Sequence, residues 1–228
     1  MSDYIIDNLV PKHEVHLVAG VSGSGKTTWL FHTLLDWQKG LPVLGFTSVP
    51  VPWAYVAADR SLAAAQRTMG RMGIPANSFP MLSAHGADEK SFEEIAEVLS
   101  DMEVEMAVIE GFGGLLEGNG SGSHREVAKF MHKVCKACVP SKAFPNGLTI
   151  LGVVESPKSK QNEKYSLPRQ RISGVATWGH MCDCIFLIEH QHPDKHGDPG
   201  RKLFVCPRIG KDLEFTGSFK ATNHLTFP

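Results

Sequence analysis

The chain has 228 residues and an ordinary globular composition, with 42% hydrophobic residues, 21% charged residues and a formal net charge of −1. No apolar run reaches bilayer-spanning length, and residues 1–8 have no basic segment before an apolar stretch, which argues against a membrane span or secretory signal and predicts a cytoplasmic protein. This length suits one hydrophobic core, so a single domain over residues 1–228 is expected. Because the net charge is nearly zero, any contact with nucleic acid has to come from a local basic patch.

Residues 20–28, with the sequence GVSGSGKTT, match the phosphate-binding pattern G-x-x-x-x-G-K-[ST] at every fixed position. An apolar segment at 14–19 predicts the strand before this loop, and residues 27–38 predict the helix after it. Glycines let the backbone amides of such a loop point at phosphate oxygens, and the helix N-terminus adds the positive end of a dipole. Lys26 is therefore expected on the β- and γ-phosphates and the Thr27 hydroxyl on Mg²⁺. The residues predicted to bind nucleotide are Gly20, Val21, Ser22, Gly23, Ser24, Gly25, Lys26, Thr27 and Thr28.

Strands and helices alternate along the chain, which predicts an α/β fold with a mainly parallel sheet flanked by helices and with antiparallel strands at the C-terminus. Residues 111–123 contain six glycines and are expected to form a mobile loop. The predicted helices cover 27–38, 62–72, 90–102, 124–137 and 172–181. The predicted strands cover 14–19, 53–58, 79–83, 106–110, 148–154, 182–189, 201–207, 213–215 and 225–227.

Acids stand at the ends of two of these predicted strands: Asp59 follows the strand at 53–58, and Glu110 closes the strand at 106–110. The carboxyl ends of parallel strands are where α/β sheets bind ligands. A buried strand that delivers a carboxylate to the water shell of a metal is the second motif of nucleotide-binding proteins, so Glu110 is expected to support Mg²⁺. An ordinary surface acid at the end of a strand is the alternative for Glu110.

A local basic patch occurs in residues 157–171, which show no apolar periodicity and contain a single acid, Glu163. Composition alone favours a solvated linker, whereas contact with DNA phosphates is the alternative. The basic residues of the patch are Lys158, Lys160, Lys164, Arg169 and Arg171.

Metal binding by cysteine or histidine is a less favoured alternative. The five cysteines are expected to be free thiols, and the spacing within the pairs 135/138 and 182/184 predicts one buried face for each pair more readily than a shared zinc site. The three histidines at 190, 192 and 196 fall in a segment rich in proline and glycine, which predicts an exposed hairpin tip.

The order of these motifs resembles the RecA-like ATPase cores of ring helicases of the DnaB type, and especially those of the small plasmid and phage RepA type. The resemblance runs from about residue 15 to residue 219 and includes the stretch GLPVLG at 40–45, which echoes the family's G-x-P-x-L-G. It implies a RecA-like P-loop domain, preceded by an arm at 1–13, that binds ATP and Mg²⁺. It also implies a hexameric ring that hydrolyses ATP and acts on single-stranded DNA in replication.

The resemblance further implies roles for single residues. Lys26 is catalytic as well as phosphate-binding, and Asp59 is the base that orients the attacking water. Glu155 falls on the family's polar sensor, and residues 157–171 fall on the loop that grips DNA in the channel of the ring. Arg208, in the stretch CPRIGKD, is the finger that enters the active site of a neighbouring subunit.

Three residues depart from the family's pattern: Glu110 replaces an Asp, Glu155 replaces a Gln or His, and Cys206 stands where the family has a Lys. Since a finger acts mainly on transition-state charge, the loss of the Lys is expected to slow hydrolysis and to leave nucleotide binding intact. Two other functions remain open. One is a non-helicase DNA-binding ATPase that forms filaments or loads other proteins, with nucleotide as a switch. The other is a small-molecule kinase with a phosphate loop.

Overall fold

The computed structural model describes residues 3–84, 91–116, 124–142, 144–156, 167–172, 177–193, 195, 197–219 and 225–227. The strands are β1 (Tyr4–Ile6), β2 (Val10–Pro11), β3 (Val15–Gly20), β4 (Trp53–Ala57), β5 (Met81–Ser83), β6 (Met106–Glu110), β7 (Thr149–Glu155), β8 (Cys184–His190), β9 (Gly200–Pro207), β10 (Leu213–Phe219) and β11 (Leu225–Thr226). The α-helices are α1 (Lys26–Gln38), α2 (Leu62–Arg71), α3 (Phe92–Asp101), α4 (His124–Cys138) and α5 (Thr177–Met181).

Nine of these strands form one sheet in the order β11-β10-β9-β8-β3-β7-β6-β4-β5. The strands from β8 to β5 in this order run parallel, and β9, β10 and β11 continue the sheet in antiparallel fashion. All six residues of β3 are buried, as expected for a parallel strand covered on both faces. The predicted α/β fold with C-terminal antiparallel strands is therefore confirmed.

The two faces of the sheet bury separate hydrophobic clusters, because successive side chains of a strand point to opposite faces. In β3, Leu17 faces one cluster and Val18 the other. The cluster of Val18 contains the aromatic side chains of α1, which pack with those of β4. The cluster of Leu17 contains the apolar sides of α3 and α4, where Phe92 meets Phe130. Helices on both faces thus hold β3 at the centre of the molecule.

The predicted N-terminal arm at 1–13 contains a small hairpin of its own, formed by β1 and β2. Four apolar side chains of this hairpin are buried in the cluster on the α1 face. Its backbone bonds to the loop before β4, with Val49 N donating to Ile5 O at 2.8 Å. The strands have three and two residues, too short for a pattern of alternation to be recognised in the sequence.

Two segments differ from the sequence expectations. Part of the glycine-rich loop is ordered: after Gly111, which has a φ of 77°, residues Phe112–Leu115 form a 3₁₀ turn, and Phe112 is fully buried. Residues 117–123 of that loop lie outside the described part of the chain. The helix expected at 172–181 is described only as Thr177–Met181, after a 3₁₀ turn at Pro168–Arg171. Among the described residues, no helix has the length and apolar character needed to cross a membrane.

The burial of Phe112 depends on a glycine opposite it. Gly152 lies in β7, and a Cβ atom at that position would overlap the Phe112 ring. Gly152→Ala is therefore expected to destabilise the protein by about 1–3 kcal/mol through overpacking. The matched control is Gly70→Ala in α2, where a Cβ atom meets nothing within 4 Å. Because alanine is the better helix former, this change is expected to raise the free energy of unfolding by up to about 1 kcal/mol. Denaturant unfolding measures both, and equal stability of the two variants would contradict this account.

Candidate active site

The loop between β3 and α1 has the backbone of a phosphate cradle. Gly23 and Gly25 adopt positive φ values of 78° and 97°, and Gly25 caps the first turn of α1. A side chain at Gly25 would overlap the Phe219 ring, so two constraints require a glycine there. The turn closes with Ser24 N donating to Val21 O at 3.1 Å. The N-terminus of α1 therefore favours a negative charge at this loop.

Lys26 lies inside this loop. Its ammonium donates to Gly20 O at 2.8 Å and to Val21 O at 3.1 Å. Burial lowers the pKa of Lys26, and the negative charges of Glu155 and Glu110 act in the opposite direction. An ammonium has three N–H donors, so two carbonyl contacts leave one for a phosphate oxygen. The side chain is thus already oriented for the role that the motif predicts.

Glu110 is the centre of a buried polar cluster and is only 3% exposed. Its Oε1 accepts a hydrogen bond of 2.5 Å from the Thr27 hydroxyl. Its Oε2 accepts from the Tyr55 hydroxyl, and the guanidinium of Arg60 forms an ion pair with Oε1 at 3.0 Å. Burial, followed by the charge of Glu110, raises the pKa of Tyr55 well above its usual range, so the phenol stays protonated and donates.

The two residues predicted to bind metal, Thr27 and Glu110, are therefore brought into contact. A hydroxyl and a carboxylate are hard oxygen ligands of the kind that Mg²⁺ prefers, so the residues present fit that ion. The sequence did not reveal Tyr55 or Arg60 as parts of this cluster. The one available signal for Tyr55 was a phenol in an otherwise apolar buried strand.

Asp59 lies beside Glu110 at the same edge of the sheet, where Ala58 N donates to Glu110 O at 2.9 Å. The Asp59 side chain packs against Gly111, at which a Cβ would overlap it. It is 41% exposed, and its Oδ1 accepts from Arg60 Nε at 3.2 Å. A carboxylate that faces solvent next to a phosphate cradle is placed to bind a water molecule.

Glu155 ends β7 and pairs with Gly20, the last residue of β3. The next residue continues the contact, because Ser156 N donates to Gly20 O at 3.0 Å. Glu155 is exposed, and its negative charge acts to raise the pKa of Lys26. The residue predicted to be a sensor therefore adjoins the first residue of the phosphate loop.

Arg208 lies at the opposite edge of the sheet. Pro207, the residue before Arg208, pairs with Cys184 at the start of β8. Ile188, four residues further along β8, pairs with Gly20 of the loop. At about 3.3 Å per residue, roughly 13 Å of strand separates Pro207 from the level of the loop, and Arg208 lies one residue further away. Its guanidinium contacts Asp183 Oδ2 at 3.5 Å and donates to His180 O at 3.3 Å. Arg208 therefore does not contribute to the site of its own subunit.

Comparison with known proteins shows which family this arrangement belongs to. A family model described as an AAA domain matches residues 2–161, well over half of the chain. The chain belongs to this AAA domain family. No curated protein sequence matches it significantly.

Two solved structures share the fold of this AAA domain. A KaiC-like protein, PH0186, from the hyperthermophilic archaeon Pyrococcus horikoshii superposes with a TM-score of 0.63 at 13% identity, covering 98% of this chain and 93% of that one. The ATPase domain of G40P superposes with a TM-score of 0.69 at 8% identity, covering 93% and 84%. The predicted RecA-like fold is confirmed. This family and fold imply that the AAA domain binds and hydrolyses nucleotide.

The basic patch requires a correction at two positions. The guanidinium of Arg169 donates to four carbonyls, those of Gly179, Cys182, Asp183 and Cys206, at 2.6–3.1 Å. Arg171 is buried, forms a 2.6 Å ion pair with Glu189 and stacks on a phenylalanine ring. Both cations are used inside the fold, so the expectation that they contact DNA is replaced by a structural role. The other three basic residues, Lys158, Lys160 and Lys164, lie outside the described part of the chain.

Arg201 is a contact of the phosphate loop that sequence reasoning missed. It is 5% exposed, and its guanidinium donates to Ser24 O at 2.9 Å and to Gly23 O at 3.5 Å. It also stacks on the ring of Phe219, the residue that covers Gly25. Within the described residues Arg201 forms no ion pair. Its positive charge is therefore not neutralised by a carboxylate there, and it lies next to the loop carbonyls. No local pattern could reveal this, because 177 positions separate Arg201 from Ser24.

All five cysteines are free thiols, as predicted. Burial raises the pKa of Cys138, Cys182 and Cys184. In the described residues, no group of three or more cysteine, histidine or acidic side chains is arranged to hold a metal ion. His196, one of the three histidines of the hairpin segment, is not among those residues.

The role of Arg201 is testable by substitution. Arg201→Gln is expected to weaken nucleotide binding by about tenfold or more, since hydrogen bonds from a charged group contribute roughly 1.5–3 kcal/mol. The measurement is titration with a fluorescent nucleotide, after thermal unfolding has shown that the variant is folded. The control is Lys202→Gln, which removes a neighbouring cation whose partner is Glu214 on β10. Equal affinity of the two variants would show that the loop does not depend on Arg201.

Proposed function

We propose that this AAA domain is a ring-forming motor, a hexamer, that hydrolyses ATP and moves along single-stranded DNA as a replicative-type DNA helicase. The observation that carries the proposal is the placement of the candidate catalytic groups on two opposite edges of one subunit. Lys26, Thr27, Asp59 and Glu110 share the edge of the phosphate loop, whereas Arg208 lies on the far edge.

At the loop edge, the contacts described above support a role for each residue. Lys26 binds the phosphates of ATP, and the Thr27 hydroxyl and the Glu110 carboxylate hold Mg²⁺. When bound, Mg²⁺ neutralises charge that develops on the phosphate oxygens. Asp59 orients the attacking water from the solvent side, and Glu155 responds to the state of the nucleotide through its neighbour Gly20.

At the far edge, Arg208 reaches the active site of another copy only if the copies associate head to tail. Such an interface is heterologous, and it closes into a ring when its rotation allows. The residue next to the finger supports an interface here, because Ile209 is 88% exposed, a large apolar side chain in full contact with solvent. Cys206, which replaces the Lys of the related motif, is fully buried and cannot act as a second finger.

The DNA contact is proposed for residues 157–166, the first part of the channel loop that the resemblance implies at 157–171. The chain enters this segment from Ser156, whose backbone N–H bonds to Gly20. This hydrogen bond between Ser156 and the first residue of the phosphate loop supports a coupling of DNA binding to hydrolysis. Lys158, Lys160 and Lys164 would supply the neutralisation of DNA phosphates.

A second candidate rests on the same far-edge observation. Head-to-tail contacts whose rotation does not close produce helical filaments instead of rings. A non-helicase ATPase that forms filaments on DNA, or loads other proteins, would use the same residues with nucleotide as a switch. Electron microscopy with ATP and DNA separates rings from filaments, and a strand-separation assay tests for helicase activity.

Single-stranded DNA is expected to raise the steady-state rate of ATP hydrolysis. The assay is carried out at low salt, so that contacts with DNA phosphates are not screened. Lys26→Ala is the control and should abolish hydrolysis with or without DNA, because it removes the cation on the transferred phosphate. Hydrolysis without any response to DNA would reject the DNA motor. It would favour one of the two other functions, the nucleotide-dependent switch or the small-molecule kinase. Unchanged turnover in Lys26→Ala would reject the nucleotide assignment itself.

Arg208→Ala is expected to retain nucleotide binding and to lose most hydrolysis. Mixing it with Lys26→Ala should restore part of the activity, because a Lys26→Ala subunit still offers Arg208 to the intact loop of its neighbour. Random mixing of equal amounts gives about one quarter complete sites in a head-to-tail ring. Mixtures that co-assemble without any recovery would show that Arg208 does not act between subunits.

A further inference from the structure

The strongest unexplained feature of the site is the ion pair between Arg60 and Glu110. Arg60 follows Asp59 directly, and its guanidinium bridges the two acids, with Nε 3.2 Å from Asp59 Oδ1 and Nη2 3.0 Å from Glu110 Oε1. Neither the phosphate-loop motif nor the resemblance to ring helicases assigns a role to this arginine.

A buried carboxylate requires compensation for its charge. Tyr55 and Thr27 donate hydrogen bonds to Glu110, but both are neutral. The ammonium of Lys26 bonds to the loop carbonyls instead. Arg60 therefore provides the cation in direct contact with Glu110, without which the buried carboxylate would lack a counter-ion. Burial acts to lower the pKa of Arg60, but Glu110 and Asp59 outweigh that effect and raise it.

The position of this cation conflicts with metal binding. Glu110 Oε1 accepts from Thr27 and from Arg60, and a carboxylate oxygen has two lone-pair directions. Thr27 and Glu110 are also the pair that would hold Mg²⁺, and the guanidinium already contacts the Glu110 oxygen that is bonded to Thr27. Two positive groups cannot share that oxygen without repulsion.

Arg60 can leave Glu110 without disturbing the core. Its side chain is 37% exposed, whereas that of Glu110 is almost completely enclosed. Asp59 also remains as its partner, because the two residues are adjacent in the chain and already in contact.

We propose that Arg60 is a built-in counter-cation of Glu110, which must give way before Mg²⁺ binds. Without nucleotide, Arg60 stabilises the buried carboxylate and keeps the metal ligands paired. On binding it moves away from Glu110 and stays with Asp59, the residue expected to orient water. The site therefore demands more Mg²⁺ than it would without Arg60. This inference rests on the proposed nucleotide site, but not on the DNA motor.

The experiment measures the Mg²⁺ requirement of nucleotide binding and involves no hydrolysis. A fluorescent ADP analogue is mixed with the full chain in a chelator, and Mg²⁺ is then titrated. In Arg60→Gln, the Mg²⁺ concentration for half-maximal binding should fall about three- to fivefold, the upper part of the range expected for one partly exposed ion pair. Binding without Mg²⁺ should weaken in the same variant, because a cation near the phosphates is lost.

These opposite signs separate the proposal from a loss of folding, which would weaken binding in both conditions. Arg60→Lys keeps the charge and should remain within about twofold of the wild type. Arg67→Gln, an exposed arginine on α2, serves as the matched control and should not change the Mg²⁺ requirement. An unchanged or higher requirement in Arg60→Gln would overturn the proposal while leaving the nucleotide site intact. Failure of the wild type to bind ADP at any Mg²⁺ concentration would overturn both.

Discussion

The register of the central parallel strands is the constraint on which the active site depends. β3 pairs on one side with β7 and on the other with β8, so Gly20 stands beside both Glu155 and Ile188. β6 and β4 continue the same register and bring Glu110 opposite Ala57, two residues before Asp59. Because side chains alternate between the faces, a slip of one residue in any pair would turn the acids away from the loop. The hydrophobic clusters on both faces of the sheet hold this register, so the core directly determines the geometry of the chemistry.

The parts of the fold that the sequence predicted are those carried by local patterns. The phosphate loop, the apolar strands and the acids at their ends each occupy a few consecutive residues, and the parallel sheet follows from their alternation with helices. Local patterns also explain why the bounds of β6 and of most helices were close to those of the structure. The small hairpin of β1 and β2 escaped prediction because two or three residues carry no period.

The parts that could not be predicted depend on partners far away in the chain. Tyr55 and Glu110 are 55 positions apart, and Arg201 and Ser24 are 177 positions apart. The charge of a residue reveals nothing about its partner, which is why Arg171 was assigned to a solvent-facing DNA loop although it pairs with Glu189 inside the fold. Composition described the segment correctly as basic but could not show which cations the fold itself uses.

The contact between Gly25 and Phe219 has a consequence for how relatives of this chain are compared. The family match ends at residue 161, yet three groups that lie against the phosphate loop come later in the chain. They are the Ile188 carbonyl beside Gly20, the guanidinium of Arg201 and the Phe219 ring. The matched segment therefore contains the phosphate loop itself but not these three groups that lie against it. Two proteins with identical loop motifs can differ in how rigidly the loop is held. They then differ in the entropy that is lost when the loop becomes ordered on nucleotide binding. The support of the phosphate loop is in this sense encoded partly in the C-terminal strands, which follow the matched residues in the chain.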